Sequence, residues 1–122
     1  MTLHVYTARI TSRDPDRLDI TRKSADVFGR VFAPSWAILN PALAKRKAGT
    51  FAAADWVEYA ADYTREMRRS YAEHGAVWDA LLTLPRVVAV CYCTDAARCH
   101  RTVLGRDILP KFGAIYEGEV TT

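Results

Sequence analysis

Three cysteines, a histidine and an arginine crowd into the stretch RVVAVCYCTDAARCHRTVLGRDIL, residues 86–109, with the spacing Cys91-x-Cys93-x5-Cys99-His100-Arg101. Thiolates are nucleophiles and soft metal ligands, histidine moves protons near neutral pH, and arginine is a permanent cation shaped for phosphate and carboxylate. Four outcomes suit such a set: a metal site, a reactive thiolate, a bound anion, or packing alone. Zinc accepts all four donors from Cys91, Cys93, Cys99 and His100, although this spacing is not one of its usual knuckles. A redox pair is disfavoured, because Cys91-x-Cys93 is not the C-x-x-C turn. A phosphatase- or rhodanese-like loop would start at Cys93 and close at Arg98. The interval CTDAAR is one residue short of C-x5-R, however, and has no glycine to wrap an oxyanion. An anion site needs only Arg101, His100 and the start of a helix. Under the packing alternative the cysteines are small core residues, His100 meets a carbonyl and Arg101 pairs with an acid. The residues alone leave the anion site and packing open.

The elements that must position these groups are legible in outline. LHVYTARI (3–10) reads as a first strand, DPD (14–16) as a turn and RLDIT (17–21) as a short second strand. Residues 22–32 fit neither period and read as irregular, turning at Gly29. Pro34 and Ser35 open a short helix to Leu39, and Asn40-Pro41 restart one that ends by Gly49. Asp55 and Glu58 read as the capped start of the clearest helix, in which Trp56, Tyr59, Ala60, Tyr63, Met67, Ser70 and Tyr71 share a face. Gly75 breaks it, and residues 76–84 form another helix. RVVAVC, apolar and β-branched, reads as a buried central strand ending at Cys91. Thr94 or Asp95 caps a helix running from about Ala97 to Gly113, and AIYEGEV (114–120) is a last strand. Strands separated by helices predict one α/β domain over residues 1–122, with a small, at least partly parallel sheet flanked by helices.

The bulk properties narrow the function classes. A chain of 122 residues supports one core, and its net charge of +3 permits nucleic-acid contact without requiring it. The clusters Arg65, Arg68, Arg69 and Lys45, Arg46, Lys47 read as solvated helix faces or ends; a nucleic-acid or protein binding module would use them instead. No apolar run is long enough to cross a bilayer, and MTLHVYTARI lacks a secretory pattern, so a cytoplasmic protein without membrane association is expected. An odd cysteine count argues against a disulfide framework.

The segment VVAVCYCTDAARCHRTVLGRDILPKFGAIYEGE resembles the signature of family 488 of the domains of unknown function, small bacterial and phage proteins. The likeness extends to VYTARI, RLDITRKS, FAPSW and the helix from Trp56 to Met67. Its most specific part is the Cys99-His100-Arg101 triplet following a strand that ends in a cysteine. One departure stands out: relatives often carry an acidic residue after that strand cysteine, where this chain has Cys93. The resemblance implies a compact α/β fold and a shared pocket, with no settled activity or cofactor. Carried onto this sequence, it groups Tyr6, Thr7 and Arg9 with Thr21, Arg22 and Lys23, with Cys91, Cys99, His100 and Arg101, and with Trp36 as a wall. A phosphate-bearing small molecule or nucleotide is the expected ligand, held by Arg101 and Lys23. If the chain is an enzyme, a transferase or hydrolase is expected, with His100 as acid/base and Cys99 as nucleophile.

Overall fold

The computed structural model describes residues 2–120. Four strands, β1 (His4–Arg9), β2 (Arg17–Asp19), β3 (Arg86–Cys91) and β4 (Ile115–Glu119), form one sheet in the order β2-β3-β1-β4. Every pairing is parallel. The chain is a single compact α/β domain, and the sheet is parallel throughout. Its helices are α1 (Val27–Arg30), α2 (Trp36–Ala48), α3 (Ala53–Glu73), α4 (Gly75–Leu82) and α5 (His100–Thr102). No helix among the described residues is long and apolar enough to cross a membrane.

Strand β3 is the spine. Five of its six residues, from Val87 through Cys91, are buried, which explains the continuous apolar run: a parallel strand with neighbours on both sides exposes neither face. One face carries Val5, Val87 and Ala89, which join Tyr63 and Met67 of α3, Trp78 and Leu81 of α4, and Leu104, Ile108 and Leu109 in the main core. The aromatic stripe of α3 is therefore largely core, and it is anchored by polar tips. Tyr63 donates to the Phe32 carbonyl at 2.7 Å, and Trp78 donates to Ser70 Oγ at 3.0 Å. On the opposite face Ala8, Val88 and Val90 form a smaller cluster with Tyr6, Ile10 and Val120. Because β3 lies between β1 and β2, residues 10–16 must cross it. Arg86 holds that crossing by donating to Asp14 at 2.8 and 2.9 Å and to Asp16 at 2.9 Å.

Several boundaries differ from the sequence reading. Residues 22–32 are not wholly irregular: Asp26 accepts from Gly29 N at 2.9 Å and starts α1. Gly29 is required there by close approach, since a Cβ would lie 1.9 Å from the Asp19 carbonyl oxygen. The two helices expected around Pro41 are one, α2, with Pro41 inside it, so the missing N–H costs a single early hydrogen bond without ending the helix. Helix α3 starts before Asp55. Its cap residue is Ala52, whose N–H donates to Asp55 Oδ2 at 2.9 Å, so Asp55 is the third helical residue. The second strand stops at Asp19. The final helix is broken into a 3-10 turn (Ala96–Arg98), an extended Cys99, α5, a π-helical stretch (Val103–Ile108) and a 3-10 turn (Leu109–Phe112).

Candidate functional site

The carboxyl ends of the four strands open onto one edge, and Cys91 is the last residue of β3, on the helix-bearing face with Val87 and Ala89. From it the chain runs through Tyr92, Cys93 and a turn capped by Asp95, whose Oδ1 accepts from Ala97 N at 3.0 Å. Cys99 is extended (φ −134°, ψ 144°), which aims its side chain back toward the strand end before α5 begins. Thr102 Oγ1 donates to the Ala96 carbonyl at 2.6 Å and ties the turn to the helix. The result brings the sulfurs of Cys91, Cys93 and Cys99 within 4.8 Å of one another. Cys91 and Cys99 meet sulfur to sulfur with Cα atoms 8.0 Å apart. Both are buried, and Cys93 is half-buried.

Arg101 is 0 % exposed, and its hydrogen bonds join this cluster to Glu119. Its Nη1 donates to Cys91 Sγ at 3.0 Å and to the Cys93 carbonyl at 2.9 Å. Its Nε and Nη2 donate to the two carboxylate oxygens of Glu119 at 3.2 and 2.7 Å, a bidentate pair. Burial alone would raise the Glu119 pKa, but hydrogen bonds from Arg101 and Thr7 and the Arg101 charge outweigh it and hold the carboxyl below its usual range. Burial pushes the Cys93 thiol up, opposed by the positive charges of Arg46 and Arg101.

His100 is buried, with its ring edge-on to Tyr63 at 5.3 Å between centroids. Nε2 meets the Ile20 carbonyl at 2.9 Å, and Nδ1 lies 3.9 Å from Cys99 Sγ. A carbonyl only accepts, so Nε2 carries the proton and Nδ1 presents its lone pair to the sulfur. Desolvation, with the Arg101 and Arg46 charges adding to it, lowers the His100 pKa to about 4 despite the Ile20 hydrogen bond and the Asp19 charge. The ring is therefore neutral at neutral pH. Both features of the packing alternative are present: His100 meets a carbonyl, and Arg101 pairs with an acid.

The other expected site residues are distributed unevenly. Thr7 is buried on the same face and shares a hydrogen bond with the Tyr116 hydroxyl at 2.9 Å. Arg9 ends β1 level with Cys91 and is exposed. Thr21 lies at the same edge, but its hydroxyl donates to Asp19 at 2.7 Å in a local turn. Lys23 lies 5.6 Å from the ring of Tyr92, whose hydroxyl donates to Ser24 at 2.8 Å. Arg22 is turned away, donating to the carbonyls of Pro34 and Ala33 at 2.9 and 3.1 Å. Tyr6 is on the opposite face under the Arg86 guanidinium, 4.6 Å from it. Trp36 opens α2 and is half-exposed.

Sequence reasoning missed two members of the site. Glu119 completes the Arg101 pair. Arg46, read as one of a solvated trio, reaches over to donate to the Arg98 carbonyl at 2.6 Å and contributes positive charge at Cys93. A groove of about 690 Å³ lies elsewhere, between α1, α3 and α4, lined in part by Phe28, Arg30, Met67, Arg69 and His74. It contains no cysteine, and Glu66 in its wall is already engaged by Ser35, whose N–H donates at 2.8 Å.

Residues 2–113 match the DUF488-N3a family model, described as the active DUF488-N3 subclade. No curated protein and no solved structure matches the chain.

Proposed function

The chain belongs to the DUF488 family, and from that premise we propose that it binds a phosphate-bearing small molecule or nucleotide at the carboxyl edge of its sheet and transfers or hydrolyses a group there. The observation that carries this reading is the convergence of three sulfurs and a buried arginine where open parallel sheets present their ligand crevices. Arg101 is fully engaged by Glu119, Cys91 and Cys93, so its role is to position the cluster. The anion itself meets cations at the rim: Arg46 beside Cys93, Lys23 beside Tyr92, and Arg9 at the end of β1. The half-buried Cys93 marks the way in. Deprotonated, the sulfurs supply either a nucleophile or the ligands of an ion that activates one. The description of the matched subclade as active agrees with a working site. A cytoplasmic setting would keep the thiols available.

The test is thermal unfolding with nucleoside mono-, di- and triphosphates. A ligand at about 100 times its Kd adds about 2.7 kcal/mol of stability. One of these ligands raises the Tm of the native chain, and Arg46→Ala removes that rise while leaving the ligand-free Tm within about 2 °C. No rise with any phosphate compound, or a rise that survives Arg46→Ala and Lys23→Ala together, contradicts the proposal.

A further inference from the structure

We propose that Cys91, Cys93, Cys99 and Nδ1 of His100 form a binding site for one soft divalent transition metal, of which zinc is the type. The inference rests on the reading above, because it names what the sulfur cluster holds. Two thiolates on tetrahedral zinc, at bond lengths of about 2.3 Å, sit about 3.8 Å apart, and a thiolate and an imidazole nitrogen about 3.6 Å apart. The sulfurs of Cys91, Cys93 and Cys99 lie within 4.8 Å of one another, and His100 Nδ1 lies beside that group, 3.9 Å from Cys99 Sγ.

A disulfide accounts for only two of the three sulfurs. It also requires Cα atoms about 4.4–6.8 Å apart, whereas those of Cys91 and Cys99 are 8.0 Å apart. A bound ion accounts for all three sulfurs, Cys93 included.

The surroundings are those of a ligand set. A metal-bound histidine donates its other ring N–H to a carbonyl or carboxylate, which fixes its tautomer; His100 does so to Ile20 at 2.9 Å. Three thiolates around a dication carry one net negative charge. The guanidinium of Arg101, 3.0 Å from Cys91 Sγ, lies against that charge. Cys91 is the last residue of β3, Cys99 ends the turn capped by Asp95, and His100 is the first residue of α5. Binding exchanges the thiol protons for the ion, with up to three protons released to solvent and no change of oxidation state.

The experiment is native mass spectrometry of the chain purified without chelator, followed by cobalt(II) titration of the metal-free protein. The expected result is one metal per chain, with tetrahedral visible bands and intense sulfur-to-cobalt charge transfer. Losing a mere hydrogen-bond partner of a ligand costs about 10–100-fold in affinity. Cys93→Ser, which changes a half-buried ligand and no core contact, weakens cobalt binding at least that much and lowers the charge-transfer intensity. His100→Gln keeps a donor for Ile20 and leaves the charge-transfer bands but shifts the visible ones. Absence of metal, cobalt affinity unchanged in Cys93→Ser, or a metal-free chain lighter by two hydrogens from a Cys91–Cys99 disulfide overturns the inference. The nucleotide response is read separately. A metal-free chain that still shows the Arg46-dependent Tm rise removes this inference alone, and a metal-bound chain without that rise removes the anion reading alone.

Discussion

Replacing Glu119 by alanine isolates what holds the candidate site together. Arg101 is wholly buried, and Glu119 supplies the only carboxylate it contacts among the described residues, through two hydrogen bonds. Breaking a buried ion pair by removing one partner costs about 3–5 kcal/mol, because the remaining charge is left uncompensated. Here the Glu119 side chain is 30 % exposed, and Arg101 keeps its bonds to Cys91 Sγ and the Cys93 carbonyl. Both facts discount the loss to about 2–3 kcal/mol. With about 2.1 cal/mol/K of unfolding entropy per residue, the 122 residues give a Tm drop of about 8–12 °C. Urea denaturation and calorimetry of Glu119→Ala measure both numbers. Asp107→Ala is the control, since the Arg106–Asp107 pair is half-exposed on both sides and is worth under about 0.5 kcal/mol. The folded carboxyl titrates below its ordinary value. Its stabilisation is therefore complete above the unfolded pKa of glutamate and fades as pH falls through the folded one, so wild type and Glu119→Ala converge in acid. A loss indistinguishable from the Asp107 control, or an undiminished difference in strong acid, would refute the argument that this pair organises the cluster.

Two further outcomes follow from the same geometry. In the metal-free chain, His100 titrates at about 4 when folded against an ordinary 6.5; the unfolded state therefore binds more protons between those values, and stability of the metal-free chain falls as pH drops from about 6.5 to 4, by about 3 kcal/mol in all. Arg101, Arg46 and Asp19 are the charged groups that face the ring, and His100→Gln flattens that segment of the urea-midpoint profile; an equally steep slope in the variant contradicts the assignment. Gly29→Ala drives a methyl against the Asp19 carbonyl, 1.9 Å from an ideal Cβ, and costs at least about 2 kcal/mol in urea unfolding; a neutral result means that α1 is free to shift.

The sequence showed some of this plainly and hid the rest for physical reasons. The run VVAVC announced a strand buried on both faces, and the spacing of Tyr59, Tyr63, Met67 and Ser70 by four, four and three announced the inner face of α3. Both signals come from burial, which hydrophobic period reports directly. Family membership was legible too, because the Cys99-His100-Arg101 triplet follows the strand cysteine at a fixed distance. Glu119 was not. Strict alternation would put it on one face with Ile115 and Glu117. A register shift between Val5 and Tyr6 instead aligns Tyr116 with Val5 and Glu119 with Thr7, turning the acid toward Arg101. Gly118 at φ 115° permits that irregularity, and no local pattern announces it. Arg46 was hidden differently: its bond to the Arg98 carbonyl spans 52 positions, and nothing in AKRKAG distinguishes one cation of three. The broken start of the last helix likewise depends on tertiary contacts of Cys99 and His100 rather than on propensity.

Backbone amide NMR of the isotope-labelled chain, titrated with the nucleoside phosphate giving the largest Tm rise, reads directly where a phosphate-bearing ligand binds. The expected shifts concentrate at residues 92–101, Arg46, Lys23 and the ends of β1 and β4, with residues of the α1–α3–α4 groove unmoved. Shifts confined to that groove, around Phe28, Arg30, Arg69 and His74, would contradict the proposed site and move it to the other end of α3.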